Sequence, residues 1–139
     1  MKRVVPIQCV ILMVVLVIAS CSGKKSLDAL EGEWEVVSIG ELLVPDSADA
    51  FLGFNVADQL LFGYTGCNHL TGTLHRAVDA PNPLFSAVGS TRKWCPDLRI
   101  ENALLPALSH VVDFSIDEDT LNLLDSEGEV VAALLRRKG

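Results

Sequence analysis

The 139-residue sequence lacks several features that mark common protein classes. It contains no internal repeat and no low-complexity tract, and its length is that of a single domain. Neither C-x-x-C nor H-E-x-x-H occurs, so the usual spacings of zinc ligands are missing. Basic residues are scarce, with 11 Lys and Arg against 18 Asp and Glu, a net charge of −7. Because such a surface repels phosphates, the composition argues against a nucleic-acid partner.

The N-terminus has the pattern of a secretory signal. Lys2 and Arg3 precede an almost wholly apolar run over residues 4–19, and small residues lead into Cys21. The run is too short for a spanning helix, which needs about 20 apolar residues. The ending resembles a bacterial lipobox, which predicts a signal peptide over residues 1–20, cleavage before Cys21 and lipid attachment there. The alternative is an uncleaved N-terminal anchor with a coincidental cysteine.

The residues after Cys21 predict a short tether over 21–27 and a domain over 28–139. Cleavage would remove Lys2 and Arg3, leaving 9 basic against 18 acidic residues, or −9. Six tether residues reach at most about 20 Å, which keeps the domain close to the bilayer, with Lys24 and Lys25 near anionic head groups. Ser22, in place of an acidic residue, favours an outer-membrane location facing the periplasm of a Gram-negative cell.

Short strand-like runs separated by turns every eight to twelve residues indicate an antiparallel, mainly β domain. Residues 27–30 predict one helical turn, and residues 41–50 read as a loop. The predicted strands cover residues 33–39, 51–55, 59–64, 70–74, 84–88, 114–116, 120–124 and 129–135.

A single amphipathic helix is expected after Asp97, a favourable N-cap residue. Its apolar residues share one face at helical spacing, namely Ile100, Leu104, Leu108 and Val111. Pro106 interrupts the pattern, because proline removes a hydrogen bond and clashes with the preceding turn. We therefore expect a kink, or two short helical segments meeting near Leu105, with the apolar face packed on the sheet.

Two blocks, residues 64–72 and 90–97, carry a family resemblance. The sequence Gly66-Cys67-Asn68, with Gly72 after it, resembles the G-C-N-x-x-x-G motif of the META domain, the HslJ-like family of small bacterial lipoproteins. Thr91-Arg92 and Cys95 resemble the T-R-x-x-C motif of the same family, and Glu101 stands where its helix carries a glutamate. Residues 30–34, ending in Trp34, resemble its L-x-G-x-W opening.

The resemblance covers roughly residues 28–136, and Lys93-Trp94 departs from the small or sulfur-containing residues common in the second motif. It implies a mainly β (α+β) fold, a strongly curved antiparallel sheet or partial barrel with one kinked helix packed on it. It also implies an envelope protein linked to stress or assembly rather than an enzyme, with no cofactor.

Cysteine usage predicts a disulfide. Cys9 lies in the predicted signal and Cys21 carries the predicted lipid, so Cys67 and Cys95 remain as an even pair in an oxidising compartment. The rival interpretation is two buried free thiols that pack as small hydrophobes.

Two chemical alternatives remain open for the first block. Cys67, His69, His75 and Cys95 are residue types that bind zinc, although C-x-H is a poor chelating pair, and we expect no metal. Cys67 with a histidine base would make a thiol-dependent enzyme or redox protein, but no oxyanion hole is evident. Trp34 is expected to anchor the core and Asn68 to stabilise a turn.

The leading interpretation is a non-enzymatic binding or structural module, held at the membrane by the lipid on Cys21. Its expected partner is an envelope protein or a small apolar ligand, since curved sheets can enclose a cavity.

Overall fold

The computed structural model describes residues 25–138. The predicted signal peptide, the predicted lipidation site Cys21 and Lys24 lie outside the described residues. Within residues 25–138, no helix has the length and apolar character needed to cross a bilayer.

The described chain consists of nine strands, one α-helix and two short 3-10 turns at Asp28–Leu30 and Asp46–Ala48. The elements are β1 (Gly32–Ile39), β2 (Leu42–Leu43), β3 (Phe51–Asn55), β4 (Leu60–Tyr64), β5 (His69–Leu74), β6 (Phe85–Ser90), α1 (Arg99–Leu108), β7 (Asp113–Asp117), β8 (Thr120–Leu124) and β9 (Val130–Arg136).

All strand pairs are antiparallel, and the strand order is β6-β5-β4-β3-β1-β9-β8-β7, with β2 paired to β1. The sheet curls into a half-barrel with α1 against it, which confirms the predicted fold class. The segments preceding the two edge strands meet, because the Leu84 amide donates to the Val111 carbonyl at 2.8 Å.

The concave side of the sheet is filled by side chains. Alternate residues of β1, Trp34 and Val36, point inward and are at most 2% exposed, as the period of two in a strand requires. The helix adds Leu104 and Leu108, both fully buried. Burying one such leucine stabilises the fold by about 1.5–3 kcal/mol, so the helix is held mainly by this stripe. Leu27, at the end of the predicted tether, is also buried.

The structure corrects two local expectations. Residues 41–50 are not entirely loop, because Leu42–Leu43 pairs with the end of β1 and a 3-10 turn follows. The helix is one continuous element, so the alternative of two segments meeting near Leu105 is wrong. Pro106 lies third from the C-terminal end of the helix, and its missing N–H leaves the Asn102 carbonyl without its usual donor.

Candidate functional site

The turn between β4 and β5 is organised by Thr65, which is 2% exposed. Its hydroxyl oxygen accepts hydrogen bonds from the amides of Cys67, at 3.3 Å, and Asn68, at 2.9 Å. The Thr65 amide in turn donates to the Asn68 carbonyl at 2.9 Å. Gly66 adopts a φ of +91°, and a Cβ there would lie 3.3 Å from the Ala48 carbonyl oxygen. The positive φ therefore favours glycine here, and a Cβ would make a close contact with the Ala48 carbonyl.

Asn68 is 1% exposed, and four hydrogen bonds to oxygen and nitrogen atoms use all of its side-chain donor and acceptor capacity, beside a longer contact with the Cys67 sulfur at 3.5 Å. Its amide nitrogen donates to the Lys93 carbonyl at 3.1 Å and to Glu101 Oε1 at 2.9 Å. Its oxygen accepts from the Thr91 hydroxyl at 2.8 Å and from the Lys93 amide at 2.7 Å. Asn68 thus joins the turn to the segment after β6 and to the helix.

Glu101 connects the first turn of α1 to the same point. One carboxylate oxygen accepts hydrogen bonds from the Thr65 hydroxyl at 3.0 Å and from Asn68 at 2.9 Å. Thr91 joins the segment after β6 to the first residue of β5, since its hydroxyl also accepts a hydrogen bond from the His69 amide at 3.1 Å. Two buried polar residues of the turn are therefore satisfied by two elements distant in sequence.

Cys67 and Cys95 form the predicted disulfide, with their Cα atoms 6.1 Å apart and a sequence separation of 28. The bridge ties the turn to the segment that leads into α1, beside the hydrogen bonds of Asn68. We call Thr65, Cys67, Asn68, Thr91, Cys95 and Glu101 the motif clasp. Sequence reasoning singled out five of these six residues but gave Thr65 no role. The signal was present, because threonine two and three residues before N–H groups in a turn is a typical side-chain turn motif.

Asp97 lies two residues before the first residue of α1 and hydrogen-bonds to it. Its carboxylate accepts from the Arg99 amide at 3.0 Å and from the Arg99 guanidinium at 2.9 Å. These hydrogen bonds lower the pKa of Asp97 to about 2, the side-chain bond contributing most. The helix begins at Arg99, one residue later than expected, yet Asp97 still satisfies a first-turn amide.

Three other motif residues, Trp34, Gly72 and Arg92, take no part in the hydrogen bonds of the motif clasp. Trp34 is fully buried, donates to the Leu30 carbonyl at 2.8 Å and has the Arg136 guanidinium 4.1 Å from its ring. Gly72 lies in β5, where a Cβ would come within 2.9 Å of the Val88 side chain. Arg92 is exposed. Trp34 is thus a core residue and Gly72 a position of close strand approach.

The residues proposed for zinc or thiol chemistry are not arranged for it. Both sulfurs are in the disulfide, and two exposed histidines lie at the first residue of β5, His69, and directly after its last residue, His75. His69 lies against the Tyr64 ring, with centroids 5.1 Å apart. In the described range, no three or more His, Cys, Asp or Glu residues are grouped so that they could hold a metal ion.

Two surface clefts flank the motif clasp. One, of about 260 Å³, is lined partly by Leu43, Gly66 and Ile100. The other, of about 370 Å³, is lined partly by Asn68, Trp94 and further residues of the first helical turns. Each cleft is therefore lined both by residues of the motif clasp and by residues of α1.

A curled antiparallel sheet, one helix and a disulfide between the two motif cysteines define a small, mainly β domain. Comparison with known proteins identifies its family. The META domain family model matches residues 26–138, and the chain belongs to the META domain family. No curated protein matches the chain.

Two solved structures share the fold. An NMR structure of a protein from Burkholderia xenovorans aligns with a TM-score of 0.63 and 20% identity, covering 80% of this chain and 86% of that chain. A crystal structure of a DUF4847 family protein from Bacteroides vulgatus aligns with a TM-score of 0.52 and 14% identity, covering 79% and 95%. At these identities the likeness shows the fold alone.

Proposed function

We propose that this protein is a non-enzymatic, lipid-anchored envelope protein whose META domain acts as a binding or structural module. The observation that carries the proposal is the complete internal use of the motif clasp. All four hydrogen-bonding positions of Asn68 are occupied by the domain itself, and Cys67 is bonded to Cys95. Catalytic groups must be free to meet a substrate, whereas these groups hold three segments together.

The proposed anchor rests on the N-terminal sequence. The apolar run, the small residues and Cys21 have the pattern of a lipoprotein signal, and the packed domain begins at Leu27, only six residues beyond Cys21. A chain this short keeps the domain within about 20 Å of the lipid. The resemblance to envelope lipoproteins supports a role in envelope stress or assembly, at the periplasmic face of the outer membrane.

A protein partner is favoured over a small apolar ligand. The concave side of the sheet, where such a ligand would bind, is occupied by Trp34, Phe54 and Phe85, each at most 2% exposed. The two phenylalanine rings stack with centroids 5.8 Å apart. The alternative of a thiol-dependent enzyme or redox protein requires Cys67 to be released from the disulfide.

Two measurements on the full chain test this proposal. Cells that produce the protein are fed an alkyne fatty acid, and incorporation of this label is compared between the natural chain and a Cys21→Ala variant. The native protein is also treated with iodoacetamide before and after reduction. We expect fatty-acid label that depends on Cys21, and alkylation of Cys67 and Cys95 only after reduction. A chain without fatty-acid label would refute the proposed lipid anchor. Alkylation of Cys67 without reductant would favour the alternative of a thiol-dependent enzyme.

A further inference from the structure

Leu43 and Trp94 are the most exposed large hydrophobic side chains among the described residues, at 77% and 79%. Leu43 borders the cleft that contains Gly66 and Ile100, and Trp94 borders the cleft that contains Asn68. Because Gly66 and Asn68 belong to one turn, Leu43 and Trp94 border two clefts that adjoin the same turn. A single exposed apolar residue is ordinary, but a pair bordering adjacent clefts forms a surface.

Two unpaired cations adjoin Trp94. Arg92 and Lys93 are exposed, and neither takes part in any of the five ion pairs found within residues 25–138. The chain has 18 acidic residues and a negative net charge, whereas these two adjacent unpaired cations make the surface beside Trp94 locally positive. Tryptophan and arginine are the residue types enriched at the energetic centres of protein interfaces. We call Leu43, Arg92, Lys93 and Trp94 the motif-end surface.

We propose that the motif-end surface docks an acidic segment of a different envelope protein, one that places an apolar side chain in a cleft and carboxylates on Arg92 and Lys93. This rests on the proposed function as a binding module and names the chemistry of the partner. The carboxylates that also line the clefts already have partners within the domain, Asp97 with Arg99 and Glu101 with Thr65 and Asn68. The unpaired charges of this surface are therefore those of Arg92 and Lys93, which favour a partner segment that carries carboxylates.

Site-specific photo-crosslinking of the full chain in its own cells tests the docking. p-Benzoylphenylalanine replaces Leu43 or Trp94, and Leu135, 44% exposed on β9, provides the matched control position. We expect an adduct with the same protein from both positions 43 and 94 and none from position 135. Adding Arg92→Glu and Lys93→Glu to the position-43 variant should lower the adduct at least tenfold.

The other outcomes contradict the proposal. An adduct of twice the chain mass would mean that a second copy is the occupant, and a phospholipid adduct would mean a bilayer surface. Partners that differ between positions 43 and 94, or no adduct at either, would remove the docking surface. An adduct unaffected by charge reversal would remove the acidic partner. Folding of each variant is checked by iodoacetamide resistance of its cysteines. Lipid labelling of Cys21 is read separately, so failure of the anchor and failure of the docking are distinguishable.

Discussion

Asn68 in the turn before β5 donates to Glu101 in the first turn of α1 at 2.9 Å, across 33 residues of sequence. This contact joins the sheet to the only α-helix of the described chain through two polar side chains, one of them 1% exposed. A buried amide is costly unless satisfied, so the geometry that satisfies Asn68 also fixes the position of the helix.

Replacement of Asn68 by alanine should destabilise the domain strongly. The Asn68→Ala change leaves the Lys93 amide and carbonyl and the Thr91 hydroxyl without their partner. Loss of these part-buried hydrogen bonds around a buried side chain costs roughly 2–4 kcal/mol in total. Urea unfolding followed by circular dichroism measures the loss. Asn102→Ala, an exposed asparagine on α1, is the control variant and should change the stability little. Equal effects of the two variants would show that Asn68 is not a structural centre.

Replacement of Gly66 by alanine should also destabilise the turn, by about 1–2 kcal/mol, because φ is +91° and a Cβ would crowd the Ala48 carbonyl. Gly89 is the matched control, since no atom lies within 4 Å of a Cβ built there and its φ is not positive. Thermal unfolding of both variants measures the difference. A Gly66→Ala variant as stable as Gly89→Ala would contradict the turn geometry.

Reduction of the Cys67–Cys95 bridge should lower the free energy of unfolding by roughly 3.5 kcal/mol, the chain-entropy value for a loop of this length. Urea unfolding with and without a reductant measures it. A double variant, Cys67→Ala with Cys95→Ala, should be insensitive to reductant and similar to the reduced protein. No response of the natural chain to reductant would contradict the bridge.

The carboxyl group of Asp97 should titrate at about pH 2 rather than near 3.8, because its hydrogen bonds with Arg99 favour the charged form. A carboxyl whose pKa is lowered by folding stabilises the fold above its unfolded pKa. That contribution falls as the pH drops from near 4 through about 2. Carbon-13 NMR of the side-chain carboxyl measures the titration. Arg99→Gln should raise the pKa toward 3.8, and an unchanged value would show that Arg99 is not the cause.

The strand pattern was predictable because period-two burial leaves a direct trace in sequence. Residues 51–55 and 120–124 were predicted with the bounds that the structure has. The short strand Leu42–Leu43 was missed, since two residues are too few to show alternation and Pro45 with Asp46 suggested a loop. The alternative of two helical segments was wrong, because α1 continues through Pro106 with the loss of one helical hydrogen bond.

The candidate site was predictable as a set of residues but not as a structure. Glycine, asparagine and cysteine in the first block indicate a turn and a bridge, and the family resemblance adds Thr91 and Glu101. That Asn68 meets Glu101 depends on the path of the chain through β5, β6 and α1, which no local pattern contains. The exposure of Trp94 was also not predictable, because tryptophan is usually buried.

The most direct test of the account is a double-mutant cycle between Asn68 and Glu101, using Asn68→Ala, Glu101→Ala and the double variant. If the motif holds the turn to the helix, the two changes are non-additive, with a coupling of about 1–3 kcal/mol in the free energy of unfolding. If the two losses simply add, the contact does not hold the structure together. The motif residues would then need another explanation, and a catalytic or ligand-binding role would be the first to reconsider.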